Sequence, residues 1–371
     1  MRCGTAFVAL LLLAGFAPRV ATAGPALVIE VSNSKVLHAE DADNLWHPAS
    51  LTKVMTAYLV FEALKSGKLE LKSKISCSAA ANGQPPSKIG LPVGGEMTVD
   101  QGLQALIIKS ANDVAVMLAE AVSGSEVAFV ANMNATAQRL GMSRTVFVNP
   151  NGLPAPAQVT TARDLARLAR AIINDFPEYA HYWAKPEMRL GKNRLVTHNG
   201  LLRSFEGADG MKTGFTCDSG FNVIATASRE GRRIIAVVLG EASSGERNVR
   251  AASLLEFGFQ QTGWKQLFNS TTIDNMPLAT LAVVKSVRND VSSWGCKERK
   301  ARVAKSKAGA KKKKAVAKAP GKKKMTPAAA EAAEKPGTVT VDVPETTGTT
   351  SPTVQLRGTM PPPAAASFAP Q

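Results

Sequence analysis

Three short motifs along the chain combine residue types that can transfer an acyl group through a serine. They are Ser50-Leu51-Thr52-Lys53, Ser110-Ala111-Asn112 and Lys212-Thr213-Gly214, in that order. A serine hydroxyl is a weak nucleophile until a neighbouring base takes its proton, and a lysine with a lowered pKa can serve as that base. The motifs therefore predict a serine nucleophile that is activated by lysine rather than by histidine.

The order of the motifs carries more information than any one of them. A Ser-x-x-Lys pattern is expected roughly once by chance in a chain of this length, and Ser32-Asn33-Ser34-Lys35 is a second match. That match falls in a predicted turn between strands at 26–31 and 35–38, where its serine and lysine would not share a helical face. Lys-Thr-Gly is rarer, in about one such chain in ten. We therefore assign the chemistry to Ser50-Leu51-Thr52-Lys53 and not to the match at residues 32–35.

The first motif stands at the start of a predicted buried helix. The run from Leu51 to Phe61 is apolar nearly all round, which is typical of a helix at the centre of a domain. Ser50 and Lys53 are three residues apart and would share a face of that helix. Burial would lower the pKa of Lys53, and the free N–H groups of a helix start would favour developing negative charge. A serine that only caps the helix, followed by a solvated lysine, is the alternative for this motif taken alone.

The second motif lies between two predicted helices. Thr98-Val99-Asp100-Gln101 has the pattern of a capping box that opens a helix through Ile107. Ser110-Ala111-Asn112-Asp113 predicts a second box, opening a helix over 114–121. Ser110 could simply cap that helix, yet a break between two apolar helices also presents a hydroxyl and an amide to a cleft.

The third motif lies in a part of the sequence that predicts β-strands. Residues 207–216 predict a strand, and the apolar runs 221–227 and 232–239, joined by Ser228-Arg229-Glu230-Gly231, predict a hairpin after it. A glycine within a strand, here Gly214, indicates the close approach of another backbone, such as an extended peptide substrate. An exposed lysine that protects an edge strand from aggregation is the alternative for Lys212.

The two ends of the chain differ from its middle. Arg2, an apolar run at 6–16 and Ala21-Thr22-Ala23 predict a signal peptide over 1–23, cleaved after Ala23, and hence an exported protein of the periplasm or cell envelope. Residues 24–265 suffice for a single catalytic domain, followed by a short extension over 266–296. Residues 297–371 are rich first in Lys and Ala and then in Pro and Thr, which predicts disorder.

The net charge of +16 is concentrated in the tail, since residues 297–324 hold fourteen Lys and Arg against one acid. This segment is either a solvated spacer or an attachment to anionic phospholipid or acidic envelope polymer. Nucleic acid is excluded as a partner by the predicted export. Cys77, Cys217 and Cys296 allow one disulfide and one free thiol, with the pairing open. No His or Cys spacing predicts a metal site, which argues against a zinc peptidase.

Residues 24 to about 262 resemble the serine D-alanyl-D-alanine carboxypeptidase family of low-molecular-weight penicillin-binding proteins. The matching blocks are 47–56, 147–153, 161–164 and 209–216. The resemblance implies an α/β fold of the α+β type, in which helices flank an antiparallel sheet as in β-lactamases and transpeptidases. It also implies that the nucleophile stands at the start of a central helix.

The resemblance further implies an acyl-enzyme mechanism. Ser50 would attack the penultimate D-alanine of a peptidoglycan stem peptide ending in D-Ala-D-Ala, and Lys53 would take the serine proton. Ser110 would relay a proton to the leaving amine, and Asn112 would hold the substrate backbone. Water would then hydrolyse the ester without a cofactor, and β-lactams would be covalent inhibitors.

The third motif would bind the other end of that substrate. Lys212 and Thr213 would hold the terminal carboxylate, and Gly214 would let the substrate backbone approach. The N–H of Phe215 would complete an oxyanion hole with that of the nucleophile. Arg247, in a predicted helix over 246–257, matches a basic position near the carboxylate, although it could equally be an ordinary surface arginine.

Several features depart from the family pattern or leave rivals open. Residues 266–296 are too short for the small β-domain that often follows, and no amphipathic anchoring helix is evident near the C-terminus. A D,D-endopeptidase would use the same residues. A class A β-lactamase would need a carboxylate for deacylation and usually carries aspartate where Ala111 stands. A non-catalytic envelope-binding protein would not be labelled by penicillin at Ser50.

Overall fold

The structure, a computed structural model, describes residues 24–261, 270–279 and 296. The predicted signal peptide, most of the extension and the Lys-rich tail lie outside these residues. Within the described part, no single helix has the length and apolar composition to cross a membrane. The helices Asn112–Ser123 and Glu126–Arg139, bent by 83°, meet those two criteria only as a pair.

The described strands form a five-stranded antiparallel sheet and two small two-stranded sheets. The order in the large sheet is β2-β1-β9-β8-β7, while β3 pairs with β4 and β5 with β6. The strands are β1 (Ala26–Glu30), β2 (Val36–Glu40), β3 (Lys74–Ser76), β4 (Glu96–Thr98), β5 (Glu187–Leu190), β6 (Asn193–Val196), β7 (Ala208–Thr216), β8 (Gly220–Arg229) and β9 (Arg232–Glu241). The predicted hairpins at 26–38 and 221–239 are confirmed.

Helices cover both faces of the large sheet. The α-helices of the described residues are α1 (Thr52–Lys65), α2 (Ala79–Asn82), α3 (Val99–Gln104), α4 (Asn112–Ser123), α5 (Glu126–Arg139), α6 (Ala162–Asp175), α7 (Ala180–Ala184), α8 (Leu201–Ser204) and α9 (Ser244–Gln260). Because side chains alternate across a strand, Leu27 and Ile29 of β1 enter the larger core with α1 and α6. Val28 instead packs with Ala251 and Leu255 of α9. The expected sheet flanked by helices is confirmed.

Helix α1 runs through the middle of the domain. Every residue from Thr52 to Phe61 is buried, as the apolar pattern predicts. A short 3₁₀ turn over Ala49–Leu51 precedes it, and the Ser50 side chain makes no capping hydrogen bond there. The capping alternative for Ser50 is therefore wrong, and its hydroxyl is available for other contacts.

The connection from α3 to α4 differs from its prediction. The first capping box is confirmed, with Gln101 N donating to Thr98 Oγ1 at 3.1 Å and Thr98 N donating to Gln101 Oε1 at 3.0 Å. The second box is wrong, because α4 starts after Ala111 with no side-chain cap. Ser110 has a left-handed backbone, with φ 60° and ψ 40°, after a π-helical turn over 105–109. The carboxylate of Asp113 accepts instead from the backbone of residues 89 and 90.

A buried ion pair joins the segment 270–279 to the rest of the described domain. Arg163 of α6 is 2% exposed and contacts the Asp43 carboxylate through Nε at 2.7 Å and Nη2 at 2.8 Å. Its guanidinium also donates to the carbonyls of Met276 at 2.6 Å and Pro277 at 2.9 Å. Residues 276 and 277 of the expected extension are thereby held against the start of α6.

The cysteine pairing that the sequence leaves open is Cys217 with Cys296, whose Cα atoms are 6.0 Å apart. Cys77 is a buried free thiol, and burial is the main cause of its raised pKa. Cys217 lies in the turn from β7 to β8, three residues after the third motif.

Candidate active site

The three motifs meet in one cleft of about 720 Å³, between the start of α1, the turn before α4 and the edge strand β7. The predicted residues that line it are Ser50, Ser110, Asn112, Thr213, Gly214, Phe215 and Arg247. Lys53 and Lys212 are buried at its base and contact lining residues. All nine residues singled out in the sequence therefore lie in or directly beneath this cleft.

The amine of Lys53 lies among three oxygen atoms. Its Nζ is 3.0 Å from Ser50 Oγ, 2.8 Å from Asn112 Oδ1 and 2.5 Å from the backbone oxygen of Asn151. The side chain is fully buried, and burial lowers its pKa well below the usual 10.5. The positive charge of Lys212 lowers the pKa further, while Asp113 acts in the opposite direction.

Lys212 connects the second motif to the third. Its Nζ donates to Ser110 Oγ at 2.9 Å and to the Thr213 carbonyl at 3.0 Å. Burial lowers the pKa of Lys212 to about 7, with a further contribution from Arg247. The left-handed backbone of Ser110 thus serves to aim its hydroxyl at this lysine. The alternative of an exposed edge-strand lysine is wrong, since Lys212 is only 2% exposed.

Strand β7 lies against the turn that carries Ser50, and Gly214 makes this close approach possible. A Cβ atom at position 214 would lie 3.0 Å from Ser50 N and 3.1 Å from both Leu51 N and the Pro48 oxygen. Such distances are shorter than most real Cβ contacts, so a larger residue would require the turn to shift by a few tenths of an ångström. The predicted close backbone approach is confirmed, but the other backbone is that of the turn carrying Ser50.

Arg247 of α9 is 3% exposed, which excludes an ordinary surface arginine. Its Nη2 donates to the His198 carbonyl at 3.2 Å and to Asn248 Oδ1 at 2.8 Å. No carboxylate forms an ion pair with it among the described residues. Burial lowers the pKa of Arg247 to about 10. Together with Lys212, it makes this end of the cleft strongly cationic.

Other cleft residues were given no role in the sequence analysis. The backbone oxygen of Asn151 contacts the Lys53 amine, and Gly152 and Leu153 line the cleft beside it. The block at 147–153 resembles the family sequence, and this resemblance is the signal by which Asn151 could have been predicted as a site residue. His198 and Lys109 also line the cleft, although neither belongs to a motif. Burial and the nearby cations, Lys212 first, lower the pKa of His198.

No group of three or more His, Cys, Asp or Glu side chains within 24–261, 270–279 and 296 is arranged to hold a metal ion. The polar groups of the cleft are hydroxyls, amides and cations. This donor set suits an anionic peptide end and an acyl group rather than a metal.

The antiparallel sheet between helices, with a cleft at one end of a buried central helix, defines the fold of penicillin-binding and transpeptidase proteins. The family model described as D-alanyl-D-alanine carboxypeptidase, peptidase family S11, matches residues 15–243. The chain belongs to this family, as its motifs predict.

Relatives and solved structures agree with this assignment. D-alanyl-D-alanine carboxypeptidase DacF of Bacillus subtilis (strain 168) is 36% identical over 241 residues, covering 64% of this chain and 62% of the relative. The chain thus spans less than two thirds of that relative's length. Penicillin binding protein 5 from Haemophilus influenzae has a TM-score of 0.63 at 35% identity, covering 66% of this chain and 73% of the other. Cefotaxime-bound penicillin-binding protein D2 from Listeria monocytogenes has a TM-score of 0.59 at 34% identity, covering 64% and 97%.

Proposed function

We propose that the chain is a serine D-alanyl-D-alanine carboxypeptidase, a hydrolase that removes the terminal D-alanine from peptidoglycan stem peptides through an acyl-enzyme on Ser50. The observation that carries the proposal is the set of contacts at Lys53 Nζ. Asn112 Oδ1 and the Asn151 carbonyl can only accept hydrogen bonds, so they use both N–H groups of a neutral amine. The remaining lone pair then faces Ser50 Oγ at 3.0 Å.

In the first step, Lys53 accepts the hydroxyl proton as Ser50 Oγ attacks the carbonyl carbon of the penultimate D-alanine. The lowered pKa of Lys53 favours the neutral amine that this task requires. Negative charge then develops on the carbonyl oxygen, where the backbone N–H groups of Ser50 and Phe215 can donate to it. Preorganised donors of this kind are often the largest contribution to acyl-transfer catalysis.

In the second step, the bond to the leaving D-alanine breaks, and its nitrogen takes a proton from Ser110 while Ser110 takes the proton that Lys53 accepted from Ser50. Lys53 and Ser110 thus return to their starting states. The hydrogen bond from Lys212 to Ser110 Oγ favours this relay, because the lysine stabilises the transient negative charge on that oxygen. Asn112 donates one N–H to the Pro85 carbonyl at 2.9 Å and keeps a second for the substrate backbone. Water hydrolyses the ester in the last step, and no cofactor is required.

The cationic end of the cleft supports a substrate with a free carboxylate. Lys212, Thr213 and Arg247 surround the position that the terminal carboxylate of D-Ala-D-Ala would take, and Gly214 brings β7 within reach. Buried cations without a carboxylate partner of their own are suited to receive one from a ligand. This arrangement favours a carboxypeptidase over an endopeptidase that uses the same nucleophile.

β-Lactams are expected to acylate Ser50. They present an amide carbonyl and a nearby carboxylate, which match the nucleophile and the cationic end of the cleft. The cefotaxime bound in the Listeria relative supports this expectation. Slow hydrolysis of the bound drug would agree with a carboxypeptidase, whereas rapid turnover would indicate a β-lactamase.

The test uses residues 24–371 and a peptide ending in D-Ala-D-Ala, with free D-alanine as the readout. Ser50→Ala should release none and should not be labelled by a fluorescent penicillin. Ser32→Ala, in the second Ser-x-x-Lys match, should retain both activities and is the matched control. Activity in Ser50→Ala would remove this serine from its role.

The location and the tail remain part of the proposal. Export through residues 1–23, a catalytic domain over 24–265 and a short extension over 266–296 would deliver the enzyme to the cell envelope. The tail 297–371 would attach it there to anionic surfaces through its Lys-rich part. Deletion of 297–371 should reduce sedimentation with envelope fractions, and unchanged sedimentation would contradict the attachment.

A further inference from the structure

The disulfide between Cys217 and Cys296 lies at the rim of the cleft. Phe215, Thr216 and Phe221 line the cleft, and Cys217 follows Thr216 directly in the chain. The Cα atoms of the two cysteines are 6.0 Å apart. Because successive Cα atoms are about 3.8 Å apart, the Cα atom of Cys296 lies within about 10 Å of that of Thr216. The part of the chain that follows Cys296 therefore starts beside the cleft.

The turn that carries Cys217 is held in place by hydrogen bonds as well as by the disulfide. The N–H of Thr216 donates to Ser219 Oγ, and the N–H of Ser219 donates to Thr216 Oγ1, both at 3.0 Å. The indole N–H of Trp46, a buried side chain, donates to the Ser219 carbonyl at 2.9 Å. These bonds attach the turn to the core of the domain. The main effect of the disulfide is therefore on the position of Cys296.

Among the described residues, the contacts that precede Cys296 in the chain are those of Ala279. Its N–H donates to Asp43 Oδ2 at 3.1 Å, and its carbonyl accepts from Arg144 Nη2 at 2.6 Å. Cys296 follows Ala279 by seventeen residues, and a chain of that length can span up to about 60 Å. Chain length alone would leave the position of Cys296 open, and the disulfide determines it.

The residues that follow Cys296 are strongly basic. Residues 297–302 have the sequence Lys-Glu-Arg-Lys-Ala-Arg, with four cations and one acid. They lie outside the described residues, but their covalent bond to Cys296 limits how far they can reach. A chain of six residues spans at most about 20 Å. Four positive charges are therefore confined to the surroundings of the cleft.

The proposed reaction supplies an anionic partner at this place. Every D-Ala-D-Ala terminus ends in a carboxylate, so a polymer that carries many stem peptides carries many carboxylates. When one terminus is bound at Lys212 and Arg247, the other termini of the same polymer stay close to the cleft. Exposed charge pairs are individually weak, so several of them must act together. A second contact to a polymer that is already bound benefits from a high effective concentration.

We propose that the disulfide holds the basic segment 297–302 beside the cleft, where this segment binds carboxylates of the same polymer whose stem peptide occupies the cleft. The enzyme thereby prefers a polymeric substrate to an isolated peptide. A lipid surface bound by the same segment would cover the opening that the polymer must reach, which favours the polymer as the partner. The inference rests on the proposed function, because that function supplies the polymer.

The test compares kcat/KM, per stem peptide, for soluble uncross-linked peptidoglycan strands and for the isolated peptide Nα,Nε-diacetyl-lysyl-D-Ala-D-Ala. The double variant Cys217→Ser with Cys296→Ser should lower the value for the strands by about three- to tenfold, because the effective concentration of the cations falls. The value for the isolated peptide should not change, since the turn keeps its hydrogen bonds. In about 1 M salt, which screens exposed charges, the parent and the variant should become equal. A difference that persists in this salt would contradict the proposal.

The charges are tested separately, with the disulfide intact. One variant removes the four cations nearest the disulfide: K297Q, R299Q, K300Q and R302Q. The matched control removes four cations farther along the chain: K311Q, K312Q, K313Q and K314Q. The first variant should show the same loss on the strands as the cysteine variant, and the control should keep the preference. Equal losses in the two variants would show that attachment at the cleft does not select the cations that act, which would overturn the proposal.

A lipid partner is tested by sedimentation with vesicles of phosphatidylglycerol and phosphatidylcholine. The two four-charge variants should sediment equally. If the first variant loses vesicle binding but keeps its preference for the strands, the segment serves a membrane and the proposal is wrong.

The outcomes also separate this inference from the proposed function. Equal ratios of the two kcat/KM values in the parent and in the cysteine variant, with normal release from the isolated peptide, would overturn this inference alone. No release from either substrate, together with no penicillin labelling, would overturn the proposed function and this inference with it.

Discussion

Two regions of the domain bury cationic side chains, and these side chains have different hydrogen-bond partners in the two regions. Arg163 lies against the Asp43 carboxylate and the carbonyls of residues 276 and 277, so its charge is neutralised and its donors are used. Lys53 and Lys212 are buried as deeply, yet within the described part of the chain only neutral oxygens lie within hydrogen-bonding distance of their amines. The pKa values of these two lysines are lowered in consequence.

The difference shows that a buried cation can serve two roles, one in holding the structure together and one in chemistry. A buried charge with a good partner fixes the geometry of the chain, and losing that partner is costly. A buried amine without an anion is held close to its neutral form and can exchange protons or receive an anionic ligand. The domain keeps the first arrangement where the segment 270–279 attaches and the second where we propose catalysis.

The largest expected effect on activity comes from Lys53→Met. Loss of the proton acceptor should lower kcat by about 10²- to 10⁴-fold, the range for a general base. The free energy of unfolding should change little. Removing a buried amine is favourable, and this gain offsets the cost of leaving the oxygens of Asn112 and Asn151 without a hydrogen-bond donor. Release of D-alanine and thermal unfolding measure the two effects. Near-normal kcat would contradict the role of Lys53.

The converse result is expected for Arg163→Met. It should cost about 3–5 kcal/mol of stability, because Asp43 would remain buried without its counter-ion. The folded fraction should keep its kcat, since Arg163 lies outside the cleft. Urea unfolding measures the loss, and Asp43→Asn with Arg163→Met should recover part of it. Loss of activity in a fully folded Arg163→Met protein would break the contrast between the two regions.

A smaller effect on activity should follow from Gly214→Ala. The added Cβ would press on the turn that carries Ser50, which would have to shift by a few tenths of an ångström. Since a displacement of about 1 Å can cost up to about 100-fold in rate, we expect a roughly tenfold lower rate of acylation by penicillin, measured by stopped-flow fluorescence. Gly245→Ala is the control, because the nearest atom to its added Cβ is Ser243 Oγ at 3.7 Å. Equal rates in the two variants would show that the approach of β7 does not matter.

The smallest effect concerns pH. The free enzyme should bind the substrate carboxylate best while Lys212 is protonated, which is below its pKa of about 7. The value of kcat/KM should therefore fall on the alkaline side, by roughly fivefold from pH 7 to pH 8 where this ionisation controls binding. In Lys212→Arg, the charge persists and this fall should move to higher pH. A profile that is identical in both proteins would assign the fall to another group.

Local sequence patterns were sufficient where the physics is local. The apolar run after Ser50 predicts a buried helix. Ser50 and Lys53 are separated by three residues, and this separation predicts that their side chains are in contact. The capping box at Thr98 was also predicted correctly. These features depend on neighbours within one or two turns of helix.

The sequence prediction failed where distant segments decide the structure. The pattern from Ser110 to Asp113 resembles a capping box, but the Asp113 carboxylate is taken by the backbone of residues 89 and 90. The third contact of Lys53 comes from Asn151, which is 98 residues away. Neither contact leaves a periodic or compositional signal in the local sequence.

The three cysteines of the described residues differ in access, which has a consequence for oxidative folding. Thiol–disulfide exchange requires a thiolate to reach a sulfur atom. The Cys77 thiol is 1% exposed, and its raised pKa disfavours the thiolate. Once the core around Cys77 has formed, scrambling of the bond between Cys217 and Cys296 through this thiol is blocked. A chain that folds before it is oxidised should therefore reach a single pairing without an isomerase.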